Sequence, residues 1–230
     1  MGRRAAMILG GLALLAGFPG PAPAAGEKAA RPFGEAAVRF EQNATDGDVE
    51  VVFEATGGRD GLAKLRVVAP DGRTVVDFAA PDASTLGIRQ FSFESPEPRD
   101  VASLKAAYPE GVYQFSGATS AGQEYRGEAK LSHELPPTAS ILRPGEDAGS
   151  AADLEIAWSP VAKVAAYMVE VEQDQLGFKL TARLPGSASA FRVPEGLLLP
   201  GIQYKLSVGT LTEAGNASFV ETEFRTAEKD

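Results

Sequence analysis

The sequence predicts an all-β protein built as two tandem antiparallel β-sandwiches, on three observations. Apolar and polar residues alternate with period two in short segments from residue 38 to residue 224, the pattern of half-buried strands. The 230 residues include 25 glycines and 16 prolines, above the usual ~12% yet short of the ~25–30% of low-complexity chains, which fits many tight turns. Pro136 and Pro137 then divide the segments into two sets of about seven strands each.

Residues 1–25 read as a signal peptide. Arg3 and Arg4 supply the positive start, residues 5–18 the apolar core, and Ala22, Ala24 and Ala25 the small residues at a cleavage site. The apolar run is broken by Gly10, Gly11 and Gly17 and falls short of the ~20 residues a spanning helix needs. Residues 26–34 are small and polar, which predicts a disordered mature start.

Residues 35–135 form the first domain. Val38 and Phe40 mark a strand, and Val49, Val51, Phe53 and Ala55 share one face of the next. Residues 57–61 are a glycine-rich loop tip. Two segments, 65–68 and 74–78, flank Pro70, Asp71 and Gly72, a turn in which proline presets φ and glycine takes the left-handed conformation. A fifth strand covers 88–93. Asp100 can cap a short helix with Val101, Leu104 and Tyr108 on one side, and that helix bridges two sheets. A closing hairpin uses 112–116 and 125–131. Seven or so strands and one helix give an immunoglobulin-like sandwich.

The proline pair predicts a stiff connection with the domains end to end. The second domain, 136–227, places strands at 139–142, 154–158, 167–172, 178–184, 190–193, 203–210 and 218–224. Leu154, Ile156 and Trp158 alternate before Ser159 and Pro160, and later comes Leu198-x-Pro200-Gly201-x-x-Tyr204. These residues resemble a fibronectin type III module: a tryptophan on the second strand and a tyrosine corner entering the sixth. The resemblance implies that Tyr204 buries its ring while its hydroxyl bonds backbone upstream. Ile202 stands where many family members carry threonine. The resemblance identifies a scaffold, and that scaffold hosts unrelated functions.

Removing Arg3 and Arg4 leaves 20 basic against 31 acidic side chains, a net charge of −11. The excess is spread evenly, with 12 basic against 18 acidic in residues 26–137 and 8 against 13 in 138–230. Nucleic-acid binding needs clustered Lys and Arg, so it is excluded as a reading, as is attraction to anionic headgroups. After signal removal no membrane segment is expected. The chain has no cysteine, so each exported domain must be stable on packing, without the disulfides common outside the cytoplasm.

Candidate sites are few. His133 is the only histidine; with no Gly-x-Ser-x-Gly elbow beside it, an interdomain hydrogen bond is the expected role. One histidine and no cysteine argue against zinc. Asn43, Asp46, Asp48 and Glu50 put four oxygen-bearing side chains within eight residues, a possible calcium ligand set, although they lack the register of an EF-hand loop. Asn43 and Asn216 each begin a glycosylation acceptor pattern.

The sequence thus reads as an exported, periplasmic or secreted, non-enzymatic protein-interaction module with no cofactor and a protein partner in the envelope or extracellular space. Arg59 and Asp60 in one loop, and Glu213 and Asn216 in the 209–217 loop, are the expected binding residues. The broad sheet face of the second domain is expected to be solvated and self-paired, through Lys179, Arg183, Glu170, Glu172, Lys205, Glu221 and Glu223. One alternative is a carbohydrate-binding accessory module, which exposed aromatics would favour, with Tyr108, Tyr113 and Tyr125 as candidates. The other is a small hydrolase, which would need a cleft with two carboxylates of divergent pKa.

Overall fold

The computed structural model describes residues 29–80, 82, 87–146 and 154–228; the predicted signal peptide lies outside them. Fifteen strands and one α-helix are defined among the described residues. The first half contains β1 (Arg31–Pro32), β2 (Glu35–Asn43), β3 (Asp48–Thr56), β4 (Lys64–Val68), β5 (Thr74–Ala79), β6 (Gln90–Glu94), α1 (Val101–Ala107), β7 (Gly111–Ala118) and β8 (Glu124–Leu131). The second contains β9 (Ile141–Arg143), β10 (Glu155–Trp158), β11 (Ala166–Gln173), β12 (Phe178–Pro185), β13 (Ala190–Arg192), β14 (Gln203–Leu211) and β15 (Ala217–Arg225). Both halves are β-sandwiches, and each expected strand is found within a few residues of its place.

In the first sandwich a five-stranded sheet, β1-β8-β7-β4-β5, packs on β2-β3-β6. Its core includes Phe40, Phe53, Leu65, Val67, Tyr113 and Leu131, all nearly inaccessible. Helix α1 carries the chain from one sheet to the other. Asp100 caps it by accepting the Ser103 N–H at 2.6 Å, and Leu104 is its buried residue. Val101, expected beside Leu104, is instead exposed, because a seven-residue helix lays only a single turn against the core. The start of the chain also departs from expectation. Residues 29–34 are ordered against the sandwich: β1 pairs in parallel with β8, and Phe33 packs on Phe115 and Tyr125. The buried Phe33 ring and the β1–β8 pairing act together against the entropy of ordering this segment.

The second sandwich opposes β13-β10-β9 to β12-β11-β14-β15, the strand plan of a fibronectin type III module. Trp158 is buried and its ring lies 5.2 Å from that of Tyr167. The tyrosine corner forms as the motif implies. Tyr204 is buried and its hydroxyl accepts the Leu199 N–H at 2.8 Å. Gly201 supplies the φ of +70° that this turn requires. With Ile202 lacking a hydroxyl, buried Thr226 provides one: its Oγ1 accepts the Ile202 N–H at 3.1 Å and donates to Leu199 O at 2.7 Å.

The two sandwiches are not joined end to end. Strand β15 pairs in parallel with β2, Ala217, Ser218 and Phe219 lying opposite Glu41, Gln42 and Asn43, so that one seven-stranded sheet, β12-β11-β14-β15-β2-β3-β6, runs through both. The Ala44 N–H donates to Phe219 O at 2.8 Å and the Glu221 N–H to Thr45 Oγ1 at 2.7 Å. Inside the seam, hydroxyls bind the linker. Ser218 Oγ donates to Pro136 O at 2.6 Å, and Thr210 Oγ1 to Pro137 O at 2.8 Å. Gln42 Nε2 donates to Ser218 Oγ at 2.8 Å. The stiff proline pair therefore lies along the seam as a strut, because its buried carbonyls find donors there.

Two substitutions test this packing. Tyr204→Phe removes the acceptor of the Leu199 N–H and is expected to destabilise the second sandwich by about 1–3 kcal/mol. Trp158 is the only tryptophan, so its fluorescence in a urea titration reads that domain directly. Trp158→Ala should cost about 3–5 kcal/mol by calorimetry, through lost burial and a cavity; a melt within error of wild type would contradict the packing described.

Candidate functional site

The 57–61 loop ends in a tight turn. The Gly61 N–H bonds Gly58 O at 2.9 Å, and Gly58 sits against the Tyr125 hydroxyl with no room for a Cβ. Arg59 and Asp60 are exposed at its tip. In the second domain the connection between β14 and β15 is shorter than the expected 209–217 loop, since the strands run to Leu211 and from Ala217. Glu213 is exposed at its tip.

Asn216 is not an exposed binding residue. It is 1% exposed and locked between the sandwiches. Its Oδ1 accepts the Phe40 N–H at 2.9 Å, while its Nδ2 donates to Ser132 O, Ser132 Oγ and Glu134 O at 2.9–3.0 Å. One amide thus satisfies a strand donor and two linker carbonyls. The same burial removes Asn216 as a glycan acceptor in the folded chain.

The outer face of the fused sheet has two parts. On the second domain, Lys179 bridges Glu172 at 2.6 Å and Glu170 at 3.4 Å, and Lys205 bridges Glu221 at 2.8 Å. Hydrogen bonds and neighbouring carboxylates hold both lysines above the ordinary ammonium range, against the opposing effect of burial. Burial outweighs each single bond at Lys179, whereas the Glu221 bond is the largest influence at Lys205. Cross-strand pairs of this kind contribute a few tenths of a kcal/mol each. Glu221 and Glu223 lie on the part of β15 past Phe219 that β2 leaves uncovered, since β2 occupies the edge before it.

The first domain's part carries a grouping of carboxylates that sequence reasoning did not foresee. Glu41 on β2 faces Glu50 on β3, and Glu94 on the neighbouring strand β6 acts on both carboxyls. Burial raises Glu41 to about 7, with Glu54, Glu94 and Glu170 adding to the rise and Arg39 opposing it. Burial likewise raises Glu50 to about 7, aided by Glu94, Glu41 and Asp48. The cation that acts on Glu41, Arg39, is engaged by Glu54 at 2.5 Å and Glu35 at 2.9 Å. Alternation in 48–56 did mark Glu50 as outward. The closeness of Glu41, Glu50 and Glu94 depends on strand register, which the sequence does not state.

Other candidates separate from one another. His133 is held by its Nε2 donating to Tyr108 O at 2.8 Å, with its ring 5.1 Å from Phe40, a boundary hydrogen bond as expected. The oxygens of Asn43, Asp46 and Asp48 accept the N–H groups of Thr45, Asp48 and Val49, so they close a turn. Among the described residues no group of three acidic or His side chains is placed to hold a metal. Tyr113 and Tyr125 are buried, Tyr108 is half-buried, and none of the described aromatic side chains is exposed. A polar groove of about 550 Å³ at the far end of the second domain is lined by Glu172, Asp174, Lys205, Glu223 and Arg225. Its groups bond one another: Gln203 Nε2 donates to Glu223 at 2.5 Å and Arg225 Nη1 to Gly201 O at 2.6 Å. No helix of the described residues is long and apolar enough to cross a membrane.

No protein-family model matches the chain, and the comparison with curated proteins gives no match. Similar solved structures are fibronectin type III modules. The fibronectin(III)-like modules of CbhA from Clostridium thermocellum are 13% identical, over 84% of this chain and 92% of theirs, with a TM-score of 0.33. A two-domain fibronectin type III segment of chicken tenascin is 12% identical, over 84% of this chain and 99% of its own, with a TM-score of 0.32. The fibronectin type III domain of the human collagen alpha-1(XX) chain is 22% identical, over 41% of this chain and 86% of its own, with a TM-score of 0.32. At these scores the fold assignment rests on the strand order itself.

The raised carboxyl on β3 sets a pH dependence. A group held at about 7 when folded and near 4.5 when unfolded contributes stability that is full below about 4.5 and is lost as pH rises through about 7. Glu50→Gln removes that loss. Its melting temperature should exceed that of wild type at pH 8 and match it at pH 4, as read by calorimetry; equal differences at both pH values would contradict a titrating Glu50.

Proposed function

We propose that the chain is an exported, non-enzymatic interaction module that presents its loop tips to a protein partner in the envelope or extracellular space. The observation that carries this is the seam. A shared sheet, the Asn216 amide and the bonded proline linker join two sandwiches into one body, with Arg59, Asp60 and Glu213 exposed on its loops. A scaffold that holds recognition loops in fixed relation lowers the entropy lost on binding. The second domain's sheet face supports the same reading, because its charges are matched internally and offer little to a partner. The aromatic platform that would favour glycan binding is not presented by the described residues. Glu41 and Glu50 are raised together, not apart, which gives no acid and base division for a hydrolase.

Photo-cross-linking tests this. Cross-linkers at Arg59 and Glu213 are expected to capture envelope or extracellular proteins, and one at Glu170 few. Adducts at the sheet position alone would reverse the assignment to loops. Binding should also depend on the rigid body. Asn216→Ala leaves the Phe40 N–H and two linker carbonyls without partners, at a cost of at least about 1–3 kcal/mol. It should split a single calorimetric transition into two and weaken capture at both loops.

A further inference from the structure

The seam between β2 and β15 runs past a carboxyl that has no ion pair of its own among the described residues. Glu41 stands opposite Ala217 of β15 and opposite Glu50 of β3, so it is the acidic side chain of the outer face with a strand of each sandwich beside it. Toward the second domain its surroundings are apolar: Ala217 packs with Leu211, Met168 and Phe219. The charges that act on it come from its own strand (Arg39), from β3 (Glu54, and Glu50 opposite), from β6 (Glu94) and from β11 of the second domain (Glu170). The cations nearby are committed elsewhere, Arg39 to Glu35 and Glu54, Lys179 to Glu170 and Glu172, and Lys205 to Glu221.

We propose that a proton on Glu41 latches the two sandwiches along this seam, so that the junction loosens when the medium turns alkaline. Parting β15 from β2 wets Glu41 on one side and carries Glu170 away, and both changes favour the ionised form. The junction is short enough for this to matter, since three residues of each strand are paired. With the seam closed, burial and then the neighbouring carboxylates hold the group at about 7, against the ordinary 4.5. A carboxyl raised in the closed form strengthens closure fully below about 4.5. That contribution is lost as pH rises through about 7 and stays lost above it. An exported protein meets such changes directly.

Hydrogen exchange of the full chain at pH 5 and pH 8, corrected for intrinsic rates, tests the latch. The seam reporters are the Ala44 and Glu221 amides, bonded to Phe219 O and Thr45 Oγ1; Val169 and Phe115 report the two cores. Protection at the seam is expected to fall about tenfold or more between the two pH values, and at the cores by clearly less. Glu41→Gln should abolish the difference, and Glu170→Gln, on the opposite side of the seam, should reduce it. Seam protection that is the same at both pH values overturns the proposal. So does an equal fall in the cores, or a fall that persists in full in both variants.

Discussion

The linker carbonyls and the first edge strand must find hydrogen-bond partners, and the way they do so shapes the whole molecule. Pro136 and Pro137 donate nothing from their backbone, yet their carbonyls lie at a buried junction. Three small polar side chains at the start and end of one hairpin, Thr210, Asn216 and Ser218, meet that need while being almost wholly buried. Buried polar groups are costly without partners and specifying when satisfied. Here they set the height at which β15 meets β2. The parallel pairing, the fused sheet and the position of Glu41 all follow from that height.

The outer face of this sheet applies one chemistry in two ways. Over the second domain, lysines and glutamates alternate across strands and neutralise each other, so the surface costs little and offers little. Over the first domain the glutamates outnumber the one engaged arginine, and the imbalance is stored in the protonation of Glu41 and Glu50. The Val52 side chain explains part of it. It lies on the outer face between Glu50 and Glu54, opposite Glu94, yet is 6% exposed, so the carboxyls beside it share a surface from which water is largely removed.

Local patterns carried most of the fold. Period-two alternation located the strands, Asp100 the helix start, and Leu198, Pro200, Gly201 and Tyr204 the corner, since each depends on residues near in sequence. The seam was not legible for the opposite reason. Phe40 and Asn216 are separated by 176 positions, and an asparagine in a glycine-containing loop reads as solvent-facing in the absence of its partners. Phe33 was missed because one aromatic residue in a small, polar stretch gives no period. Of the candidate site, the loop tips at Arg59 and Glu213 were foreseeable from turn chemistry, whereas the carboxylates required registers that alternation alone does not supply.

The direction of the seam strands also governs how the molecule carries load. Strands β2 and β15 run the same way, with the chain entering at the start of β2 and leaving from the end of β15. Tension between the two ends of the described chain therefore slides these strands lengthwise past each other. In that geometry the seam's bonds, together with the Asn216 amide, bear the pull at the same time, whereas an antiparallel junction would open one rung after another. Two sandwiches linked only by a flexible tether would straighten under the same pull; this pair transmits tension from one lobe to the other as a lap joint.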